Sequence, residues 1–235
     1  MADEIYRHPR MAALYDPLDT DRSDLDMYRA VLDERDWASL LDVGSGTGVF
    51  ALAEAARGKE VTAVEPAAAS LAVARAKPGA DAVTWVLGTA EDLPPLAVAA
   101  ATMTANVAMV FADDGAWLAT LGAVRAALAP GGRFVFDVRD VAARAWETWA
   151  EPPTEYDAAH EGTVVSSCDV EVDLPLVHYS DTTTFADGET IASRCTLRYR
   201  DADEIVADLR AAGFEQIEAR DHPYRPGSGW LFVAS

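Results

Sequence analysis

Cysteine and lysine are both scarce in this sequence. Its 235 residues include two cysteines, Cys168 and Cys195, and two lysines, Lys59 and Lys77. Two cysteines do not make a disulfide framework, so we expect free thiols in a reducing compartment. The 19 basic residues are outnumbered by 39 acidic ones, which leaves a net charge of −20. Because binding to a phosphate backbone needs clustered basic side chains, this balance argues against a nucleic-acid partner.

Long apolar runs are missing as well. The weakly polar stretch at residues 96–109 is too short to cross a bilayer and contains Thr102, Thr104 and Asn106. Residues 1–10 carry charges throughout and lack the apolar run of a secretory signal. We therefore predict a cytoplasmic protein with no membrane partner, and we leave monomer and homodimer open.

The order of the apolar segments predicts an α/β fold. From residue 40 to about residue 138, short apolar runs alternate with amphipathic helical stretches, which is typical of a parallel sheet built from βα units. The sequence predicts five strands in this part, at residues 39–43, 60–65, 82–87, 99–105 and 133–138.

Proline, glycine and capping residues predict where helices begin and end. Pro66 stands where the helix after the second strand would begin, because its fixed φ suits the first helical position. Asp113 can cap a later helix, whose apolar positions recur every three or four residues until Pro130, Gly131 and Gly132 end it. A further helix is predicted before the first strand, at residues 23–35.

The pattern changes after residue 140. A helical stretch and a proline-broken acidic stretch lead into three β-rich segments, and Asp187-Gly188 is a hairpin signal between the last two. This pattern predicts a small antiparallel β insertion after the fifth strand. A helix and two strands close the chain. The predicted ranges, in order, are 142–149, 151–161, 163–172, 176–185, 190–200, 201–212, 214–220 and 230–234.

Three glycines with a defined spacing follow the first predicted strand. Gly44, Gly46 and Gly48 open a helix, which is the usual context of a nucleotide site. A dinucleotide motif would have its third glycine at position 49, where this chain has Val49, and no lysine of a phosphate-binding loop follows. Glu65 ends the second strand 65 − 44 = 21 residues after Gly44, where a carboxylate accepts hydrogen bonds from ribose hydroxyls.

These motifs resemble those of the class I S-adenosylmethionine-dependent methyltransferases. The segments LLDVGSGTGVF, VTAVEP, GTAEDLP and LAPGGRFVFD occur in that family's order and spacing, and together they cover roughly residues 39–138. The closing segment DADEIVADLRAAGFEQIEARD is similar too. The resemblance implies a doubly wound seven-stranded sheet of order 3-2-1-4-5-7-6 with an antiparallel seventh strand. It also implies S-adenosylmethionine as cofactor and S-adenosylhomocysteine as product.

A more local likeness is to actinobacterial small-molecule methyltransferases, including N-methyltransferases that act on amino sugars. It is carried by the segment LYD, by the β-rich insertion and by TLRYRDADEIVADLRAAGF. In this likeness Tyr15 resembles an N-terminal tyrosine that covers the cofactor.

The family resemblance implies cofactor-binding roles for the residues of the glycine loop. Gly44, Ser45 and Gly46 would lie under the methionine and ribose portions, and Asp42 would order the loop. Glu65 would hold the ribose hydroxyls.

The remaining implied roles concern the two ends of the cofactor. Pro66 would lie beside the adenine, and Thr89, Ala90 and Glu91 would meet its edge. Thr89 departs from the acidic residue common at that position, so the Ala90 N–H and Glu91 would contribute more of the recognition. Asn106 resembles a position whose backbone reaches the methionine amino group.

Catalysis of methyl transfer depends mainly on alignment and desolvation of the reacting groups. A general base is needed only for a hydroxyl acceptor or for an amine that arrives protonated. The two candidate bases are His178, in the insertion, and His222, near the closing strands. The aromatic residues Trp146, Trp149 and Tyr156 are candidates for the wall of an acceptor pocket or for the core of the insertion.

No group of residues has the spacing of a metal site. Asp137, Asp140 and His160 come nearest to one, and acidic residues are so frequent here that we predict no metal.

The sequence therefore predicts one methyltransferase domain, residues 1–235, that transfers a methyl group to a small-molecule N or O acceptor. Its predicted parts are a helical cap at 1–37, a cofactor half at 38–140, the insertion at 141–200 over the acceptor site, and the closing elements at 201–235. One alternative is a non-catalytic S-adenosylmethionine-binding protein. Another is an NAD-dependent dehydrogenase or nucleotide-sugar enzyme, which the glycine spacing disfavours.

Overall fold

The computed structural model of the chain describes residues 3–158 and 161–235. Its strands in chain order are β1 (Ser39–Val43), β2 (Glu60–Glu65), β3 (Val83–Leu87), β4 (Val98–Met103), β5 (Leu128–Arg139), β6 (Glu151–Asp157), β7 (Thr163–Asp173), β8 (Leu176–Thr184), β9 (Thr190–Arg198), β10 (Ile217–Asp221) and β11 (Gly229–Ala234). Its α-helices are α1 (Glu4–Arg7), α2 (Pro9–Leu18), α3 (Asp26–Leu32), α4 (Val49–Ala56), α5 (Ala68–Ala76), α6 (Asp114–Ala127) and α7 (Ala202–Ala211).

Seven strands form one mixed sheet of order 3-2-1-4-5-11-10. β1 to β5 are mutually parallel, and β11 runs antiparallel to both of its neighbours. The order differs in detail from the predicted 3-2-1-4-5-7-6 because four strands of the insertion precede β10 in the chain. These four strands form a separate antiparallel sheet of order 6-7-8-9.

No strand is predicted in the proline-broken acidic stretch at residues 151–161, but the structure has β6 there. Pro152 and Pro153 lie in β6, whose register against β7 shifts between Glu151 and Thr154. β6 is the outer strand of the second sheet. Proline is tolerated at such an edge because the missing N–H faces no neighbouring strand.

Two predicted helix boundaries are also wrong. Pro66 is not the first helical residue, because the Glu65 side chain accepts a hydrogen bond from the Ala67 N–H and Ala67 is extended, so that α5 begins at Ala68. Asp113 does cap α6, but that helix ends at Ala127 and residues 130–132 lie inside β5. The chain passes directly from helix to strand because Leu128 already pairs with Val98 of β4.

Other predicted helices are shorter or broken. The predicted helix at residues 23–35 consists of the 3-10 turn Ser23–Leu25 followed by α3. The predicted helix at residues 142–149 is two 3-10 turns, because Arg144 between them has φ +47°. β4 ends at Met103, before the predicted end at residue 105.

Both faces of the seven-stranded sheet are covered, which accounts for its nearly continuous apolar strands. One face packs on α6 and α7 through Trp117, Leu121 and Phe214, and the other packs on α3 and α4 through Tyr28 and Phe50. A third, smaller apolar cluster joins α2 to the second sheet and consists of Met11, Leu14, Ala158, Val164, Phe185 and Ile191.

Within the described ranges, no helix has both the length and the apolar character needed to cross a membrane.

Candidate active site

Most of the predicted cofactor residues lie at one edge of the seven-stranded sheet. The strand order 4-1-2-3 brings the segments that follow these four parallel strands side by side at their carboxyl ends. The segments carry, in spatial order, Asn106, the glycine loop, Glu65 and Thr89. Open α/β sheets bind their ligands at this edge.

The glycine loop adopts a backbone that requires glycine. Gly44, Gly46 and Gly48 have φ values of +69°, +54° and +79°. A side chain at Gly44 would also place its Cβ 2.6 Å from a methyl group of Val107. The main chain of the loop therefore lies bare and close to the segment that follows β4.

Glu65 links the glycine loop to the end of β2. It is 5% exposed, and its two carboxylate oxygens accept hydrogen bonds from the N–H groups of Gly46 and Ala67, each at 2.8 Å. Burial raises the pKa of this carboxyl group, and the two backbone hydrogen bonds oppose that rise. Because a carboxylate can accept about four hydrogen bonds, it keeps positions for two hydroxyls.

Asp42 lies beneath the glycine loop and is 1% exposed. Its Oδ1 accepts a hydrogen bond from the Thr102 hydroxyl at 2.9 Å, whereas its Oδ2 is buried with no partner in the described part of the chain. Burial raises the pKa of Asp42 to about 7, and the charges of Glu65 and Glu54 add to the rise. Ser45 Oγ is likewise buried and lacks a partner among the described residues.

The turn after β4 has an unusual backbone. Ala105 and Asn106 have φ values of +54° and +63°, a left-handed conformation that costs a non-glycine residue about 1–2 kcal/mol. The Ala105 N–H donates to the Tyr28 hydroxyl at 2.8 Å, and the Asn106 N–H donates to Asp137 Oδ1 at 2.8 Å. The Tyr28 hydroxyl donates to the same Oδ1 at 2.5 Å. Asn106 Oδ1 is buried and has no partner in residues 3–158 and 161–235.

The predicted adenine-side residues lie on an exposed rim. Pro66, Thr89 and Glu91 are exposed, and Ala90 is buried at the start of the 3-10 turn Ala90–Asp92. The N–H and hydroxyl of Thr89 both donate to Asp92 Oδ2, at 2.8 and 2.9 Å. Thr89 therefore caps this turn, which explains why a threonine suits the position.

The two N-terminal helices are tied to the glycine loop and to α5. Asp16 of α2 accepts a hydrogen bond from the Thr47 hydroxyl at 2.6 Å and forms an ion pair with Lys77 at 2.5 Å. Lys77 also donates to the Thr47 carbonyl oxygen at 2.7 Å. Ser70 of α5 donates to the Tyr6 carbonyl oxygen at 3.0 Å. These contacts hold α1 and α2 as a cover beside the glycine loop.

Tyr15 belongs to this cover. It precedes Asp16 on α2, is partly buried, and its ring centroid lies 6.1 Å from that of Tyr6. Burial raises the pKa of its hydroxyl, which therefore stays protonated at neutral pH.

The cover is also tied to the second sheet through Arg10. The Arg10 guanidinium donates to Glu161 at 3.1 Å and to Asp187 at 2.8 Å, contacts Glu189, and lies 3.7 Å from the ring centroid of Phe185. Sequence reasoning missed Arg10, because its carboxylate partners are more than 150 residues away in the chain.

His178 does not lie with the predicted cofactor residues. Successive side chains of a strand point to opposite faces. Val177 and Tyr179 lie on the face of β8 that packs against the main body, which is the seven-stranded sheet with its helices, so His178 between them points to the opposite face. There its Nδ1 lies 2.8 Å from the Thr196 hydroxyl oxygen.

His222 lies near Asp137 but is not free to act as a base. It is 4% exposed, and its Nδ1 accepts hydrogen bonds from the N–H groups of Tyr224 and Arg225, at 3.3 and 3.2 Å. Burial lowers its pKa, Arg225 lowers it further, and Asp137 opposes the shift. The neutral ring therefore carries its proton on Nε2, a buried atom without a partner in the described residues.

The three predicted pocket aromatics are not brought together. Trp149 follows the 3-10 turn Ala145–Thr148, and its ring lies 5.9 Å from that of Tyr179 and 4.9 Å from the guanidinium carbon of Arg139, the last residue of β5. Trp146 is buried in the core of the main body, and Tyr156 packs against the small cluster under α2.

The described residues contain no group of three side chains placed to hold a metal ion. Asp137 is bonded to Tyr28 and Asn106, and Asp140 accepts hydrogen bonds from the Ala142 N–H and the Trp230 ring N–H. The predicted third member, His160, lies outside the described residues.

A doubly wound sheet, a bare glycine loop and a carboxylate at the end of the second strand define a nucleotide-binding α/β protein. The family comparison is more specific, because residues 40–132 match the family described as a methyltransferase domain. Residues 40–132 thus resemble a methyltransferase domain, and the predictions of an enzyme of this class with S-adenosylmethionine as cofactor are confirmed. No curated protein sequence matches the chain.

Solved methyltransferases share the whole fold. The S-adenosylmethionine-bound amino pentose methyltransferase CalS10 from Micromonospora echinaspora is 25% identical, with a TM-score of 0.69 over 94% of this chain and 95% of that one. The sugar N-methyltransferase KedS8 from a Streptoalloteichus species is 22% identical, with a TM-score of 0.75 over 94% and 91%. An S-adenosylmethionine-dependent methyltransferase from Clostridium acetobutylicum is 17% identical, with a TM-score of 0.76 over 96% and 97%. The predicted resemblance to actinobacterial small-molecule methyltransferases is confirmed.

Proposed function

We propose that this protein transfers a methyl group from S-adenosylmethionine to the nitrogen of a small-molecule amine. One observation carries the placement of the cofactor: Asp42 Oδ2, Ser45 Oγ and Asn106 Oδ1 are all buried around the glycine loop without partners in the described residues. A buried polar atom that lacks a hydrogen bond costs free energy. A polar ligand on this loop would recover part of that cost.

The residues at the carboxyl ends of β4, β1, β2 and β3 lie in an order that suits an elongated nucleoside. With its ribose at Glu65, the adenine would lie toward β3, beside Pro66 and the segment Thr89, Ala90 and Glu91. Its amino-acid end would lie toward β4, at Asn106. The bare main chain of the glycine loop would support the part between, and Tyr15 would cover it.

The residues of the site act by position and by exclusion of water. When bound at Glu65, the glycine loop and Asn106, S-adenosylmethionine would supply a methyl carbon activated by the positive sulfur. This carbon would accept the lone pair of the acceptor nitrogen and release its bond to sulfur, and the surplus proton on nitrogen would pass to solvent. The cover formed by α1 and α2 would keep water from the reacting atoms, and alignment supplies much of the rate.

An amine acceptor fits the state of the two candidate bases better than a hydroxyl does. His178 points away from the main body, and His222 has its basic nitrogen occupied by two backbone N–H groups. A hydroxyl would need a base to remove its proton during the attack. A neutral amine carries its own lone pair and needs none.

The likeness to known enzymes supports the same acceptor class. CalS10 is described as an amino pentose methyltransferase and KedS8 as a sugar N-methyltransferase. In this chain the rings of Trp149 and Tyr179 are partly buried beside the guanidinium of Arg139, and their remaining surface would suit the apolar face of a sugar ring.

The test starts with the purified protein and a panel of S-adenosylmethionine, S-adenosylhomocysteine, NAD(H) and ATP in a thermal-shift assay. S-adenosylhomocysteine at 100 times its dissociation constant should add roughly 2.7 kcal/mol to the free energy of unfolding. Matched panels of amino sugars and of the corresponding hydroxyl sugars should then be assayed for S-adenosylhomocysteine release. We expect release with the amines.

Three other outcomes would overturn parts of the proposal. Stabilisation by NAD(H) without any response to S-adenosylmethionine would indicate a dehydrogenase. Binding of the cofactor without release of S-adenosylhomocysteine from either panel would indicate a non-catalytic binding protein. Release with hydroxyl sugars and not with amines would replace the acceptor nitrogen by oxygen.

A further inference from the structure

The turn after β4 needs support from outside itself. Ala105 and Asn106 are consecutive non-glycine residues in the left-handed region, which single residues visit rarely and pairs more rarely still. Their own side chains form no cap, because Asn106 Oδ1 has no partner in the described part of the chain. One hydrogen bond, from the Val107 N–H to the Thr104 carbonyl oxygen at 3.3 Å, closes the turn itself, whereas the acceptors for the N–H groups of Ala105 and Asn106 come from other elements.

Those contacts come from two buried residues that are far apart in the sequence. Tyr28 of α3 is 0% exposed and Asp137 of β5 is 2% exposed. The Tyr28 hydroxyl accepts from the Ala105 N–H and donates to Asp137 Oδ1, which in turn accepts from the Asn106 N–H. One phenol and one carboxylate thus bind both N–H groups of the turn.

Tyr28 is held so that it can serve this purpose. Its ring packs edge-on against Phe50 of α4 at 6.1 Å, within the apolar layer under the sheet. Burial raises the pKa of its hydroxyl, with Asp137 adding to the rise, so the hydroxyl keeps the proton that it donates. Without this hydroxyl, the Ala105 N–H would lose its acceptor and Asp137 Oδ1 would lose one of two donors.

We propose that Tyr28 is a positioning residue for the amino-acid end of the cofactor, acting through the turn at Ala105 and Asn106. The inference rests on the proposed cofactor site, since it is this site that places the amino-acid end at β4. Tyr28 itself touches no ligand in this proposal. It fixes the direction of the main chain and of Asn106, and the adenosine end, at Glu65 on the far side of β1, is independent of it.

The test compares two ligands that differ only at the end in question. S-adenosylhomocysteine carries the amino-acid chain, and 5′-methylthioadenosine has a methyl group in its place. In Tyr28→Phe, the dissociation constant of S-adenosylhomocysteine should rise about tenfold, the size expected for the loss of a buried hydrogen-bond network. The dissociation constant of 5′-methylthioadenosine should stay within about twofold, as measured by calorimetry or competition. A residue with a purely structural role would not separate the two ligands.

The matched control is Tyr199→Phe. Tyr199 is also buried, at 4% exposed, and its hydroxyl has no partner in the described residues, so this variant loses the same atom without losing a hydrogen bond. Both ligands should bind it as they bind the unchanged protein. The inference is overturned if Tyr28→Phe binds S-adenosylhomocysteine normally, or if it loses both ligands equally. Failure of the unchanged protein to bind S-adenosylhomocysteine would instead refute the proposed function.

A second pair of variants makes the same test if Tyr28→Phe does not fold. Asp137→Asn keeps an oxygen that can accept from both Tyr28 and the Asn106 N–H, whereas Asp137→Ala removes it. We expect Asp137→Ala to lose S-adenosylhomocysteine selectively and Asp137→Asn to retain most of the affinity. Equal affinities in the two variants would contradict the role of the network.

Discussion

Asp42 carries an ionisable group at a position where burial opposes its charge. Its carboxyl group is fully buried under the glycine loop, and one of its oxygens has no partner in the described residues. The Thr102 hydroxyl satisfies only the other oxygen. A site selected for stability alone would not keep an ionisable group there.

The first prediction concerns the pH dependence of stability. The pKa of Asp42 rises from 3.8 to about 7 on folding, so the folded chain holds this proton more tightly than the unfolded chain does. The contribution of the protonated Asp42 side chain to the free energy of unfolding is then complete below about pH 4 and is lost as the pH rises toward 7. Asp42→Asn should remove this loss, and above pH 7 it should stabilise the protein by up to about 4 kcal/mol.

Urea unfolding at pH 4.5 and at pH 8 measures this effect. The difference in free energy between the two pH values should be smaller in Asp42→Asn than in the unchanged protein. If the free energy of unfolding changed equally with pH in both proteins, burial would not raise the pKa of Asp42, and this prediction would be wrong.

The second prediction concerns Glu65. Because its carboxylate is the only group in the proposed ribose site with free acceptor positions and a charge, Glu65→Ala should weaken S-adenosylhomocysteine binding by about 1.5–3 kcal/mol. Glu60→Ala is the matched control, since Glu60 is an exposed glutamate at the other end of the same strand. Calorimetric titration should show a loss of affinity in the first variant and none in the second; an unchanged affinity in Glu65→Ala would remove this residue from the site.

At the scale of elements, the sequence was most informative where its pattern is local. The bounds of β1 and β2 agree with the prediction because each apolar run stops at a residue with its own constraint, Gly44 or the buried Glu65. β6 was missed because Pro152 and Pro153 hide an edge strand. The bond between Tyr28 and Asp137 spans 109 positions and could not be inferred from either neighbourhood.

Where a candidate base points is decided by the register of the strand that carries it and not by its residue type. The imidazole of His178 has the chemistry of a base, but the register of β8 decides which face it occupies. A shift of one residue in that register would have turned His178 inward and Tyr179 outward. Sequence alone does not determine this register, because β8 carries polar residues on both of its faces.

The third prediction concerns the attachment of α2 to the second sheet. Arg10→Met keeps an apolar side chain beside Phe185 and removes the ion pairs with Glu161, Asp187 and Glu189. A network of three carboxylates on one guanidinium contributes more than a single surface pair. The cover should therefore open more often, and S-adenosylhomocysteine should dissociate about three to ten times faster in a stopped-flow measurement.

Arg194→Met is the control for this prediction. Arg194 pairs with Glu171, and both residues belong to the second sheet, so the substitution removes an ion pair without separating two elements. Its dissociation rate should equal that of the unchanged protein. A rate that is unchanged in Arg10→Met as well would show that the apolar cluster under α2 is enough to hold the cover.

At the scale of the whole molecule, the charge of −20 is the dominant property. Such an excess of like charge repels itself in the compact state and is screened by salt. The melting temperature should therefore rise as NaCl increases from 0.02 to roughly 0.3 M, over which the screening length falls below about 10 Å. At pH 5, where more carboxylates are protonated, the same step should have a smaller effect, and a melting temperature that falls with salt at pH 8 would contradict this account.

The Arg10 contacts and the small apolar cluster have a consequence for protein engineering. They join the first helices of the chain to strands that follow more than 140 residues later, so the surface over the proposed acceptor side is made by two separate stretches of sequence. Exchanging residues 141–200 alone for those of a relative would leave Arg10 and Met11 facing foreign partners. A chimera meant to change the acceptor therefore has to transplant residues 3–18 together with the insertion, while the cofactor half stays in place.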